Sequence, residues 1–128
     1  MNGRLLYIDC DTLVQESLAP LLTADLHGRC LGMVHDCISR EYLCIFPVAL
    51  ERYHNAGFLL LDMDAWRAKG AGQLLLDGVA RGWGTYPLPD QDIINMALKD
   101  EIATLDFRYN FQSPCFLFTA RQLAAVYQ

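Results

Sequence analysis

The chain has 128 residues, 53% of them apolar, enough for one compact domain and too apolar for a disordered or fibrous protein. Its 10 Lys and Arg stand against 15 Asp and Glu, a net charge of −5 that argues against nucleic acid and anionic membrane surfaces as partners. An acidic chain can still take an anionic nucleotide through a divalent cation, so clustered carboxylates become the feature to seek.

In chain order, Leu5-Leu6-Tyr7-Ile8 is continuously apolar and predicts a buried strand of a parallel sheet that delivers Asp9 at its C-terminal end. Glu16 to Leu22 reads as a short helix. Cys30 to Val34 reads as a second strand, ending at His35-Asp36. A third strand is expected from Phe58 to Leu61, entered through a turn at Asn55-Ala56-Gly57. Asp62 to Lys69 and Gln73 to Arg81 read as helices separated by Gly70 and Gly72. Pro87 and Pro89 close that segment. A helix then runs to about Lys99, with Asp90 as its N-cap or first-turn acid and Ile93, Ile94, Ala97 and Leu98 on its apolar face. A short strand from Ile102 to Leu105, an irregular aromatic stretch from Phe107 to Phe118 and a helix from about Thr119 complete the chain. Strands alternating with helices, without repeat or linker, imply an α/β fold with a mixed or mainly parallel sheet flanked by helices.

The five cysteines, Cys10, Cys30, Cys37, Cys44 and Cys115, are odd in number and lack C-x-x-C spacing. That argues against a disulfide framework or a zinc ribbon and for a reducing, cytoplasmic setting. No charged-then-apolar leader follows Met1, and no apolar run reaches membrane-spanning length.

Asp9-Cys10-Asp11 lies where the first strand ends, and a two-residue spacing in extended backbone would turn both carboxylates to one side, as a cation clamp requires. Hard ions such as Mg²⁺ and Mn²⁺ favour such oxygens and share their remaining positions with phosphates and water. D-x-D alone also occurs in ordinary turns. Asn55-Ala56-Gly57 offers small residues that admit a ligand close to the backbone and an amide that can donate to and accept from sugar hydroxyls; a plain turn into a core strand is the simpler alternative. Asp90 and Gln91 lie at a helix start, where the dipole favours anions, and a simple cap is their simpler alternative.

Taken in order, Tyr7-Ile8-Asp9-Cys10-Asp11-Thr12-Leu13, Tyr53 to Gly57 with Trp66-Arg67 after an apolar strand, Asp90 to Asn95, and Arg108-Tyr109-Asn110-Phe111 resemble the blocks of family 8 glycosyltransferases. That group includes bacterial lipopolysaccharide galactosyl- and glucosyltransferases and glycogenin. The resemblance covers most of the chain and implies a partial GT-A (Rossmann-like) nucleotide-sugar transferase fold. It implies retaining transfer of a hexose from a UDP-sugar to a glycan such as lipopolysaccharide, with Mn²⁺, or Mg²⁺, held partly by Asp9 and Asp11. Asn55, Ala56 and Asp90 would contact the donor sugar, Asp36 would sit near the sugar or acceptor, and Gln91 would lie beside the anomeric carbon as the catalytic residue. A neutral amide is a poor nucleophile, so Gln91 would stabilise an oxocarbenium-like ion rather than attack it. His35 and Cys10 would be spectators, and His54, in place of the family's usual aromatic residue, would only pack.

The same resemblance makes residues 1–128 the central part of such a domain, without the strands that hold the nucleotide base and without the late histidine block that completes the metal site. An unpaired sheet edge would then favour a homodimer or a complementing chain. The alternative is a non-catalytic remnant or interaction module that keeps the fold core. The location expected is cytoplasmic, peripheral to the inner membrane at most.

Overall fold

The computed structural model describes residues 3–37, 53–82, 86–117, 119 and 121. Four strands, β1 (Arg4–Ile8), β2 (Leu31–His35), β3 (His54–Asp62) and β4 (Ile102–Thr104), form one mixed sheet in the order β1-β3-β2-β4. β3 pairs antiparallel with β1 and with β2, and β2 pairs parallel with β4. Leu31 to Val34 in the second strand are buried, as expected for a strand covered on both faces. β1 departs from the expected buried parallel strand: it is antiparallel, half-buried, and at one edge of the sheet.

β3 is the spine. Its burial alternates, with Phe58 and Leu60 buried and Leu59 and Leu61 half-buried, because successive side chains of a strand point to opposite faces. Phe58 and Leu60 pack with Leu21, Leu26 and Ala103, a layer backed by Leu6, Ile8 and Leu105. The other layer joins Leu31, Met33, Ile102 and Leu98 to Ala56 and Ala71, backed by Trp66, Leu75 and Ile94. Ala56 and Phe58 are two residues apart yet belong to opposite layers. The register explains this: Gly32 pairs with Leu60 but Val34 with Asn55, so β3 carries three more residues than β2 between those pairs, a bulge that turns the strand over. Asn55-Ala56-Gly57 thus lies within β3, where a turn was expected, because side chains from elsewhere take over the hydrogen bonding that β2 gives up.

The helices are α1 (Met63–Ala68), α2 (Ala71–Ala80) and α3 (Pro89–Ala97). Asp62 caps α1 by accepting from Asp64 N and Ala65 N. Gly70, at φ +62°, turns the chain into α2 in the left-handed region that favours glycine. Pro89 starts α3 with Leu88 as its N-cap, which places Asp90 in the first turn rather than at the cap. The helix expected over Glu16 to Leu22 shortens to a 3₁₀ turn at Ala19–Thr23, since Pro20 starts a turn but cannot sit inside a longer helix. The aromatic stretch forms 3₁₀ turns at Phe107–Tyr109 and Ser113–Leu117. The helix expected from Thr119 lies almost wholly outside the described residues, as does Cys44.

Cys37 and Cys115 form a disulfide, against the expectation of free thiols, with Cα atoms 6.5 Å apart and a sequence separation of 78. Such a separation has no spacing signature, and the cysteine count alone therefore says nothing about compartment. Among the described residues no helix is long and apolar enough to cross a membrane.

Cys10 is exposed and Cys30 buried, both as free thiols. Burial pushes the Cys30 thiol up to about 11. Its protonated form adds stability that is complete below the ordinary thiol range and is lost as pH rises toward the folded value. At pH 8 iodoacetamide should therefore modify Cys10 in the native protein and Cys30 only after denaturation, as read by peptide mass mapping; rapid native labelling of Cys30 would contradict this packing.

Candidate functional site

The bulged start of β3 has few sheet partners, and α3 supplies others. Asn95 is fully buried; its Oδ1 accepts from His54 N at 2.7 Å, while its Nδ2 donates to His54 O at 2.7 Å and to Gln91 O at 2.9 Å. One turn earlier on the same face, Gln91 Oε1 accepts from Ala56 N at 2.9 Å. Two carboxamides four residues apart thus replace the missing ladder, so that the buried backbone stays hydrogen-bonded. Asp92, also fully buried, accepts from Tyr53 Oη at 2.6 Å and from Leu88 N at 3.0 Å, fixing the entry to α3 against the residue that precedes β3. Burial, followed by this hydrogen bond, raises the Tyr53 phenol above its ordinary range.

On this scaffold the structure brings together Asp36, Asn55, Ala56 and Gln91. Asp36 Oδ2 accepts from Gln91 Nε2 at 2.8 Å and from Asn55 Nδ2 at 3.0 Å. Gln91 is 6% exposed, whereas Asp36 and Asn55 are half-buried. Asp36 follows the end of β2, and its N–H donates to Tyr53 O at 3.1 Å, extending the sheet by one bond. The stacked rings of His35 and His54, 4.6 Å apart, lie beneath, and His54 Nε2 is 2.9 Å from Thr104 Oγ1.

Asp9 approaches from β1. Its N–H donates to Gly57 O at 2.9 Å, and its carboxylate lies where a side chain on Gly57 would be: a Cβ there would meet Asp9 Oδ2 at 2.9 Å and Asn55 Oδ1 at 3.0 Å. The bare backbone of Gly57 therefore lets the D-x-D carboxylate and the Asn55 amide occupy adjoining space. Residues 9–12 form a turn, with Thr12 N donating to Asp9 O at 3.3 Å, so the expected extended geometry of Asp9 and Asp11 is not what the chain adopts. Tyr7 Oη donates to Asp9 Oδ1 at 2.8 Å. That bond, with the Asp9 charge behind it, raises the Tyr7 phenol. Asp11 and Asp90 are exposed and join no hydrogen bond of the network.

Sequence reasoning missed the supporting residues. Tyr53, Asp92 and Asn95 stand inside the motif blocks, yet their work becomes visible only when α3 is placed across β3. Asn110 Nδ2 donates to Asn55 Oδ1 at 2.8 Å. Gln112 zips its segment to the end of β2, accepting from Cys37 N at 2.9 Å and donating to His35 O at 2.8 Å. The four-residue spacing of Gln91 and Asn95 was the one available signal for the clamp.

The model of the family "Glycosyl transferase family 8" matches residues 3–124. The chain is 32% identical over 110 residues to glycosyltransferase GlyF of Streptococcus pneumoniae, covering 86% of this chain and 26% of GlyF. It is 29% identical over 111 residues to lipopolysaccharide 1,2-glucosyltransferase of Escherichia coli, covering 84% of this chain and 33% of that enzyme. The galactosyltransferase LgtC, crystallised in complex with donor and acceptor sugar analogs, superposes with a TM-score of 0.78 at 30% identity, covering 92% of this chain and 44% of LgtC. The chain thus spans about a quarter to under half of the length of these relatives.

Replacing Asn95 with Ala strands the His54 N–H and C=O in the interior and should lower stability by roughly 2–4 kcal/mol in urea unfolding. A loss below about 0.5 kcal/mol would mean that the amide clamp does not hold the bulge.

Proposed function

Because the chain belongs to glycosyltransferase family 8 and has a GT-A type fold, we propose that it carries the donor-sugar and metal-carboxylate part of a retaining, metal-dependent hexosyltransferase. The donor is a UDP-sugar and the acceptor a glycan of the lipopolysaccharide kind. The observation that carries this reading is the hydrogen-bonded join of half-buried Asp36 and Asn55 with buried Gln91, beside Asp9.

The donor set fits a hard cation in part. Asp9 and Asp11 offer carboxylate oxygens suited to Mn²⁺ or Mg²⁺, and no group of three His, Cys, Asp or Glu with metal-site geometry occurs among the described residues. The remaining ligands would come from the donor diphosphate, water and segments beyond this part of the fold. When bound, the metal supplies Lewis-acid stabilisation of the charge that grows on the departing nucleotide.

The chain's own residues position the sugar. Tyr7 ties down Oδ1 of Asp9 and leaves Oδ2 against the Gly57 backbone, which orients that carboxylate. Asp36 and Asn55 present an acceptor and a donor side by side, the pairing that two adjacent sugar hydroxyls need. Ala56 turns its methyl group into the core layer, so the donor would meet it at the backbone, and Asp90 adds a carboxylate at the α3 N-terminus. Gln91 acts at the anomeric carbon by stabilising developing positive charge. Its Oε1 already accepts from Ala56 N, so the amide is held rigid and is poorly disposed to attack.

The relatives extend well past the shared part, so complete activity is assigned to the assembly that also holds the base and ribose, whether in one longer chain, a homodimer or a complementing chain. Calorimetric titration of UDP with and without Mn²⁺, on the wild type and on Asp9→Asn/Asp11→Asn, tests the site without an acceptor. Metal-dependent binding lost in the double variant supports the proposal. The absence of binding in both would favour the other reading, a remnant that keeps the fold core without catalysing.

A further inference from the structure

From the Asn110–Asn55 contact we infer that Asn110 is a positioning residue that sets the polarity of the donor-sugar site; this rests on the functional reading above. Asn55 Oδ1 receives two donors, Gly57 N at 2.9 Å and Asn110 Nδ2 at 2.8 Å. With both on the oxygen, the amide has one favourable orientation, which aims Nδ2 at Asp36 Oδ2. Gly57 N alone would give the same preference, but a flipped Asn55 would then face only one misplaced donor instead of two. Asn110 is 55 residues away in sequence and sits in the segment that Gln112 and the Cys37–Cys115 disulfide fasten to the end of β2. The orientation that Gly57 and Asp36 favour is therefore reinforced from a third element, outside both the sheet and α3.

The orientation has chemical consequences. Asp36 Oδ2 gathers N–H groups from Asn55 and Gln91, which keeps the carboxylate fixed and its other oxygen available as an acceptor for a hydroxyl. Reversing the Asn55 amide would set a carbonyl oxygen against the Asp36 carboxylate, two acceptors face to face. A sugar would then meet a pair of acceptors in place of an acceptor and a donor. The Asn110 side chain bonds Asn55 rather than the proposed metal carboxylates or Gln91, so its influence should fall on sugar recognition more than on diphosphate binding.

Asn110→Asp tests this with nearly unchanged shape. A carboxylate has no hydrogen to donate, so it should reverse the Asn55 amide or push it off Asp36. In ¹⁵N-labelled protein, the Asn55 and Gln91 side-chain amide resonances should move while the backbone spectrum away from residues 36, 55–57 and 110 stays in place. With Mn²⁺ present, the affinity for UDP should stay within about twofold, while that for UDP-glucose and UDP-galactose falls about tenfold. Asn110→Ser, with a hydroxyl that can donate, should retain more of the UDP-sugar preference than Asn110→Asp. Unmoved Asn55 and Gln91 resonances, or equal losses for UDP and the UDP-sugars, would overturn the role of Asn110 while leaving the donor site intact. Metal-dependent UDP binding absent from the wild-type chain would instead overturn the donor-site reading and the sugar role with it.

Discussion

The carboxamide of Asn95, closing two hydrogen bonds on the backbone of His54, is the constraint on which the rest of the site depends. β3 enters the sheet with three more residues than β2 can pair, and a bulge of that size leaves buried N–H and C=O groups to satisfy. An unmade hydrogen bond in the interior costs about 1–3 kcal/mol, so a chain that leaves several of them open would straighten the strand and lose the bulge. Asn95 and Gln91 remove that cost from one helical face. The bulge in turn carries Ala56 to the opposite layer from Phe58 and leaves Asn55 half-exposed beside Asp36. Helix position, strand irregularity and the join of functional side chains are thus a single solution to one hydrogen-bonding problem.

Packing decides where this can happen. The two apolar layers hold β2 and the C-terminal half of β3 on both faces, and burial there contributes about 25 cal/mol per Å² of apolar surface. The start of β3 and the end of β2 lie at the margin of those layers, where polar groups can be buried with partners and still reach an opening. The segment 107–117 closes that margin by hydrogen bonds from Asn110 and Gln112 and by the Cys37–Cys115 cross-link. In the loop-entropy picture, closing 78 residues disfavours the unfolded chain by about 4–5 kcal/mol, more than the hydrogen bonds of the segment contribute singly. The covalent tie limits how far the segment can move from the end of β2, and the amides set how its polar groups point.

Much of this was legible in the residues. Apolar runs at 5–8, 30–34 and 58–61 marked three strands, and the prolines at 87 and 89 marked the start of α3 within one residue. The blocks around Asp9, Asn55 and Asp90 identified the family, and the family model agrees. What could not be read were features created by tertiary structure. Asn55-Ala56-Gly57 looks like a turn because small and polar residues precede an apolar run; it is strand because α3 supplies the missing partners. The direction of β1 is not written in its apolar run, which a parallel and an antiparallel buried strand share. The disulfide was hidden by the same logic: 78 residues of separation leave no pattern to find. The role of Asn110 was hidden likewise, since a side chain 55 residues from its partner has no local signature.

The two halves of the site differ in how firmly they are built, and Gly57 is where they meet. Asp36, Asn55 and Gln91 are locked by mutual hydrogen bonds on a buried frame, so their geometry is settled before any ligand arrives. Asp9 and Asp11 lie in an exposed turn, with the Tyr7 hydroxyl as a side-chain donor to Asp9. The same exposure means that a cation at this turn gains little from the protein's dielectric and must draw its affinity from additional ligands. A locked polar join beside an exposed carboxylate turn is the division of rigidity that the proposed donor, whose diphosphate would bring coordinating oxygens of its own, would require. The absent side chain of Gly57 lets those two parts share one space: a Cβ there would meet Asp9 Oδ2 at 2.9 Å and Asn55 Oδ1 at 3.0 Å, and would part the exposed turn from the locked join by the width of a methyl group.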